Sequence, residues 1–177
     1  MGAALYWRDV CMADRGRSRV RTGWLLNVLL LVLAGCLTVW RQPRLFSHPR
    51  FWAEEGTVFF SRALCAPWSQ ALLQPAPSGY LKVFNNLVSL WAAYLVPLER
   101  APLVTTLAAF VVQMVPLAIL LTGASELHRG KLRQTLLILI ILLNVYTGEI
   151  WLNTTNSQNY ILLTALLIWS SVNGLGR

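Results

Sequence analysis

From Trp24 to Trp40 the chain runs for about 17 residues without a charged side chain, with tryptophan at both ends and a dense group of arginines just before it. No feature restricts the fold more. That length is at the low end of what crosses a bilayer, and a tryptophan at each end suits the lipid–water boundary. Three further apolar stretches follow, at Ala101–Thr122, at Leu132 to about Tyr146, and at Tyr160 to about Val172. Only 12% of the 177 residues are charged, against about 25% in soluble domains, and 56% are hydrophobic. The sequence therefore reads as an all-α polytopic membrane bundle with about four or five hydrophobic segments.

The net charge of +8 would suit nucleic acid if the cations lined one accessible surface. Instead they gather at Arg8, Arg15, Arg17, Arg19 and Arg21, before the first apolar run, and at Arg129, Lys131 and Arg133 between two others. That placement is the positive-inside signature of a membrane protein, and it argues against nucleic acid as a partner. Residues 1–23 then form a basic cytoplasmic tail, 24–177 a transmembrane helical domain, and 41–81 an outer loop at the surface of a cytoplasmic (inner) membrane. Cys11, Cys36 and Cys65 lack the paired spacing of a zinc or redox site. Leu33–Cys36 looks like a lipoprotein signal, but the apolar flank beyond Cys36 favours an uncleaved anchor helix.

The outer loop carries Pro43, Pro49, Pro67, Pro75 and Pro77, which forbid one continuous helix and leave room for short juxtamembrane pieces. Thr57–Ala66 reads as one of these, lying on the membrane surface, with Phe59 over Ala63 and Phe60 over Leu64. Tyr80–Leu98 is ambiguous: Lys82, Asn85 or Asn86, and Ser89 form a polar stripe, opposed by apolar Val83, Leu87, Leu90 and Tyr94, as in a helix facing a bundle interior. If this segment crossed fully, the basic loop at 125–134 would lie outside. A re-entrant or juxtamembrane segment keeps that loop inside and puts 149–159 on the outer face with the first loop.

Two segments carry chemistry. Arg50-Phe51-Trp52-Ala53-Glu54-Glu55-Gly56 places adjacent carboxylates among aromatic residues, where their surroundings can lift a carboxyl toward the working range of a general base. The bland reading is a helix cap, since a helix N-terminus favours negative charge. The second segment is Gly148 to Asn159, where Glu149, Asn153 and Asn156 would share a face if helical. Its amides and hydroxyls suit sugar hydroxyls, or simply solvate helix ends. Asn153-Thr154-Thr155 also reads as a glycosylation sequon.

Taken together, Trp52–Phe59, Gly79-Tyr80-Leu81, Gly148-Glu149 and Asn153–Gln158 resemble a group of uncharacterised bacterial membrane proteins of the GT-C superfamily of glycosyltransferases. There the usual wording is Ala-Glu-Asp-Gly and Asn-Leu-Thr-Asn-x-Gln, so Glu55 stands where aspartate is usual. The resemblance implies transfer of a hexose or pentose from a polyprenyl phosphate on the outer face of the membrane. It carries Glu54 and Glu55 over as catalytic base or as ligands of a divalent cation, with Glu54 expected first for structure and Glu55 first for chemistry. Arg50 and Lys82 would meet the phosphate, as would Arg44 or His48. Glu149, Asn153, Asn156 and Gln158 would bind substrate. Enzymes of this type use more spans than this chain provides, so it is expected to be the N-terminal portion of a larger protein, or to need a membrane partner that supplies the missing spans. The competing readings are a non-catalytic membrane protein or inactive fragment, and a transporter or flippase of lipid-linked saccharide. The near absence of ionisable groups inside the spans counts against the transporter.

Overall fold

The computed structural model describes residues 24–52, 54–122, 135 and 152–174. Every regular element among them is helical. The first apolar run forms α1, Trp24–Arg41. The segment after α1 breaks at its prolines into α2 (Arg44–Ser47), a π-helix at Glu55–Phe60 that continues into α3 (Ser61–Cys65), and α4 (Trp68–Leu73). Then come α5 (Val83–Leu95), a 3-10 turn at Leu98–Arg100, α6 (Ala101–Thr122) and α7 (Thr154–Gly174). The expected outer-loop helix begins earlier than Thr57. Its π-type bonding, which spans five residues instead of four, rotates the face that follows. Phe59, Phe60 and Ala63 are buried while Leu64 is exposed.

Among the described residues, two helices are long and apolar enough to cross a membrane: α1, and the stretch Leu98–Leu121 that includes most of α6. At 13 residues, α5 reaches only about 20 Å, short of the roughly 30 Å of a bilayer core. The third apolar run, Leu132 to Tyr146, lies outside the described residues apart from Thr135, as do the basic tail, the basic loop at 125–134, Cys11, Ala53 and Glu149. The fourth is longer than its apolar part, because α7 begins in the polar Thr154–Asn159 segment.

Packing follows the small residues. Ala34 of α1 meets Leu117 and Leu120 of α6 and Leu167 of α7 in a dry cluster. Gly35 lets α1 approach Phe110 closely: a Cβ there would stand 3.3 Å from the ring. Farther along, Ala109 contacts Leu45 and Leu152, and Ala92 and Ala101 hold Phe60. Small side chains allow close backbone approach, which drives helix association where apolar burial offers little. Asn27 Nδ2 donates to the Leu121 carbonyl at 2.8 Å and ties the start of α1 to the end of α6.

The interior mixes apolar clusters with a large set of polar side chains, and many large apolar side chains lie on the surface. The buried polar set includes Thr38, Glu55, Lys82, Asn85, Asn86, Ser89, Thr105, Thr106 and Gln113, while Leu25, Leu29, Leu33, Val111, Leu162 and Trp169 face outward. Helix α5 shows this most plainly. Its polar stripe of Asn85, Asn86 and Ser89 is buried, and Val83, Trp91, Tyr94 and Leu95 are exposed. The inward stripe has work to do, since Asn86 Nδ2 donates to the carbonyls of Leu72 and Gln74 and satisfies the end of α4.

Candidate functional site

Position 55 is the junction of the segment between α1 and α5. Glu55 is 1% exposed, among the most deeply buried side chains in the protein. Its two oxygens reach two different helix starts. Oε2 accepts the Trp52 amide at 3.1 Å, and the Glu55 amide in turn donates to the Trp52 carbonyl at 3.0 Å. This reciprocal pair closes the turn Trp52–Glu55 at the entry to the π-helix, in the manner of the returning half of a capping box. Oε1 accepts both the Thr154 amide at 2.6 Å and the Thr154 hydroxyl at 2.7 Å, across 99 residues of sequence. One carboxylate therefore caps its own helix and α7 together.

The start of α7 can be accounted for donor by donor. The Thr154 amide goes to Glu55. With the Asn85 amide oriented by its surroundings, its oxygen accepts the Thr155 amide and its nitrogen donates to the Thr154 carbonyl, both at 3.2 Å. The Asn156 amide goes to Asn153 Oδ1 at 2.8 Å, an ordinary side-chain N-cap. The Ser157 amide closes the first intrahelical bond to the Asn153 carbonyl at 3.2 Å. Just before this cap, Leu152 holds φ at +56°, a left-handed conformation that costs a leucine about 1–2 kcal/mol. Burial against Leu45 and Ala109 holds it there.

Burial pushes the Glu55 carboxyl up from its ordinary value, and the bonds from Thr154, Trp52 and Thr105 act in the opposite direction. The two helix N-termini, each carrying partial positive charge, also favour the ionised form.

Glu54 stands in a different environment. Its side chain is 43% exposed, and Oε2 lies 3.5 Å from Lys82 Nζ. Lys82 is 4% exposed, an ammonium enclosed by Glu54 and by the faces of Tyr80 and Phe59 at 5.0 and 5.5 Å. Gly79, at φ +87°, makes the turn that delivers Tyr80 and Lys82, with the Gly79 amide bonded to the Ala76 carbonyl. Gly56 is required for close approach: a Cβ there would meet Phe51 at 3.0 Å, and Phe51 packs on Phe60 with centroids 4.6 Å apart.

The expected site residues thus fall into three sets. Glu54 and Lys82 meet, and Glu55 meets the Asn153–Thr154 turn. Arg50 belongs elsewhere, its guanidinium 3.9 Å over the Trp52 ring. Asn156 is half-buried at the helix start, Gln158 is exposed, and Glu149 lies outside the described residues. Asn153 is the N-cap of α7 and does not share a helical face with Asn156. Because Asn153 is 2% exposed, the sequon reading does not hold: a glycan has no room there. Sequence reading missed Asn85 and Thr154 as partners of this junction. The only signal for Asn85 was its place on the polar stripe.

Among the described residues no three His, Cys, Asp or Glu side chains converge. Comparison with protein-family models, curated proteins and solved structures finds no match for this chain.

Proposed function

We propose that the chain is an integral membrane protein, a bundle of four or five helical segments with its basic tail in the cytoplasm, that transfers a sugar from a polyprenyl phosphate at the outer face of the cytoplasmic membrane. Two long apolar helices and the many large apolar side chains on the surface support membrane insertion, since lipid is the solvent that suits them. The short α5 supports a re-entrant segment, which leaves the acidic loop and the start of α7 on one side.

The observation that carries the transfer reading is the Glu54–Lys82 pair, a solvent-facing carboxylate beside an enclosed ammonium. In an inverting transfer, Glu54 takes the proton of the acceptor hydroxyl as its oxygen bonds to the anomeric carbon. The bond from that carbon to the phosphate oxygen breaks, and Lys82 stabilises the charge gathering on the leaving phosphate. This division of labour reverses the one expected from sequence. Glu55 already accepts three donors and serves as scaffold, and Glu54 is the carboxylate open to an acceptor.

A second reading, a non-catalytic membrane protein, is favoured by the fact that both carboxylates have partners within the chain. The test is sugar transfer from radiolabelled polyprenyl-phosphate sugars in membranes carrying the protein, as wild type, Glu54→Gln or Lys82→Met. The transfer reading expects activity in wild type, loss of at least 100-fold in Glu54→Gln, on the order of a removed general base, and normal insertion of both variants. No transfer in wild type leaves the second reading, and undiminished transfer in Glu54→Gln removes Glu54 as the base.

A further inference from the structure

Immediately past the end of α1, the chain folds around a cleft of about 340 Å³ lined by Gln42, Arg44, Leu45, His48, Arg50 and Trp52. We infer that this cleft binds the phosphate group of a phosphate ester, presented by an anionic lipid in the adjoining leaflet. Its lining contains two guanidiniums and an imidazole and no carboxylate. The nearest acids in sequence are engaged elsewhere: Glu55 by Trp52 and Thr154, and Glu54 by Lys82. Among the described residues no acid meets Arg44 or Arg50. Two unneutralised guanidiniums in one cleft suit a phosphate, whose oxygens accept their paired N–H groups.

Preorganisation points the same way. Arg50 is held by stacking on Trp52, and Leu45 and Trp52 anchor the walls in the cluster with Ala109 and Leu152. The Ser47 hydroxyl donates to the Pro43 carbonyl at 3.2 Å and lies 3.0 Å from His48 Nδ1, which holds the imidazole ring beside the cleft. The Trp52 indole N–H is buried without an acceptor. The cleft's height argues for lipid as the source: Trp40, 77% exposed on the last turn of α1, marks the boundary, and Gln42 follows two residues on. This inference is independent of sugar transfer and applies equally to a non-catalytic protein.

The test uses the full chain in nanodiscs of phosphatidylcholine containing phosphatidylglycerol, with retained lipid counted by native mass spectrometry. Wild type is expected to keep one phosphatidylglycerol, and Arg44→Gln/Arg50→Gln to keep it roughly tenfold less, as for loss of a charge-assisted pair. Arg44→Lys/Arg50→Lys should recover part of the retention, and Arg100→Gln, an exposed cation elsewhere, should retain it fully. Inorganic phosphate titrated calorimetrically into lipid-free, neutral-detergent protein separates the sources. Binding there that Arg44→Gln/Arg50→Gln abolishes assigns the cleft to free phosphate as well, and lipid retention alone assigns it to the headgroup. Equal retention in wild type and Arg44→Gln/Arg50→Gln, or an equal loss in Arg100→Gln, overturns the inference.

Discussion

The contact of α1 with α6 and α7 and the junction around Glu55 are built on opposite principles. The first is chiefly apolar: Ala34, Leu117, Leu120 and Leu167 interlock, Gly35 admits Phe110, and the Asn27 bond to the Leu121 carbonyl closes one end. The second is a buried polar knot in which one carboxylate, an asparagine cap and a second asparagine satisfy the starts of two helices. In the apolar region each contact contributes a little and neighbours can adjust. In the knot, removing one group leaves several donors buried and unpaired, so the cost concentrates on single residues.

The largest expected effect therefore falls at Glu55. Glu55→Ala orphans the Trp52 and Thr154 amides together. Each unsatisfied buried donor costs about 1–3 kcal/mol, so the loss should be about 3 kcal/mol or more. Thermal unfolding in detergent should show a large drop, and a change no greater than that of an exposed substitution would count against the knot. Next comes Gly56→Ala, which forces a methyl to 3.0 Å from Phe51 and should cost about 1–3 kcal/mol by overpacking. Asn153→Ala removes the α7 cap at about 1 kcal/mol. Gly35→Ala, with its contact at 3.3 Å to the tip of one aromatic ring, should cost less than any of these, because Phe110 can yield. A ranking in which Gly35→Ala is the worst would invert the comparison.

The pH dependence sharpens it further. Because burial raises the Glu55 carboxyl above its ordinary value of 4.5, the folded state holds that proton more tightly than the unfolded chain. Its contribution is fully present below about pH 4.5 and is lost as pH rises through the folded value. The stability of wild type relative to Glu55→Gln should accordingly decline from acid to neutral pH. A difference that instead grows with pH would mean that the helix-terminus donors outweigh burial.

The helical class, the first span and the buried face of α5 were legible because each is written in local periodicity: Lys82, Asn85 or Asn86, and Ser89 recur at one helical spacing. The doubled glutamate was legible as a feature but not as two roles. Nothing local distinguishes Glu54 from Glu55, since the partner that separates them, Thr154, lies 99 residues away. The π-helix at Glu55–Phe60 was equally hidden, because it depends on Phe59 and Phe60 both turning inward against α5 and its neighbours. The amides of 153–156 looked like donors for a ligand. Asn153 instead serves α7 itself, the bland alternative that applies to any polar segment at a helix start.

The claim that one carboxylate fastens two helix starts is tested most directly by a double-mutant cycle of Glu55→Ala and Thr154→Val, read by unfolding of the purified protein. If the Thr154 hydroxyl donates to Glu55 as described, the two losses should be coupled by about 1 kcal/mol or more. Effects that add to within about 0.3–0.5 kcal/mol would show that the two side chains act independently, contradicting the bond between them.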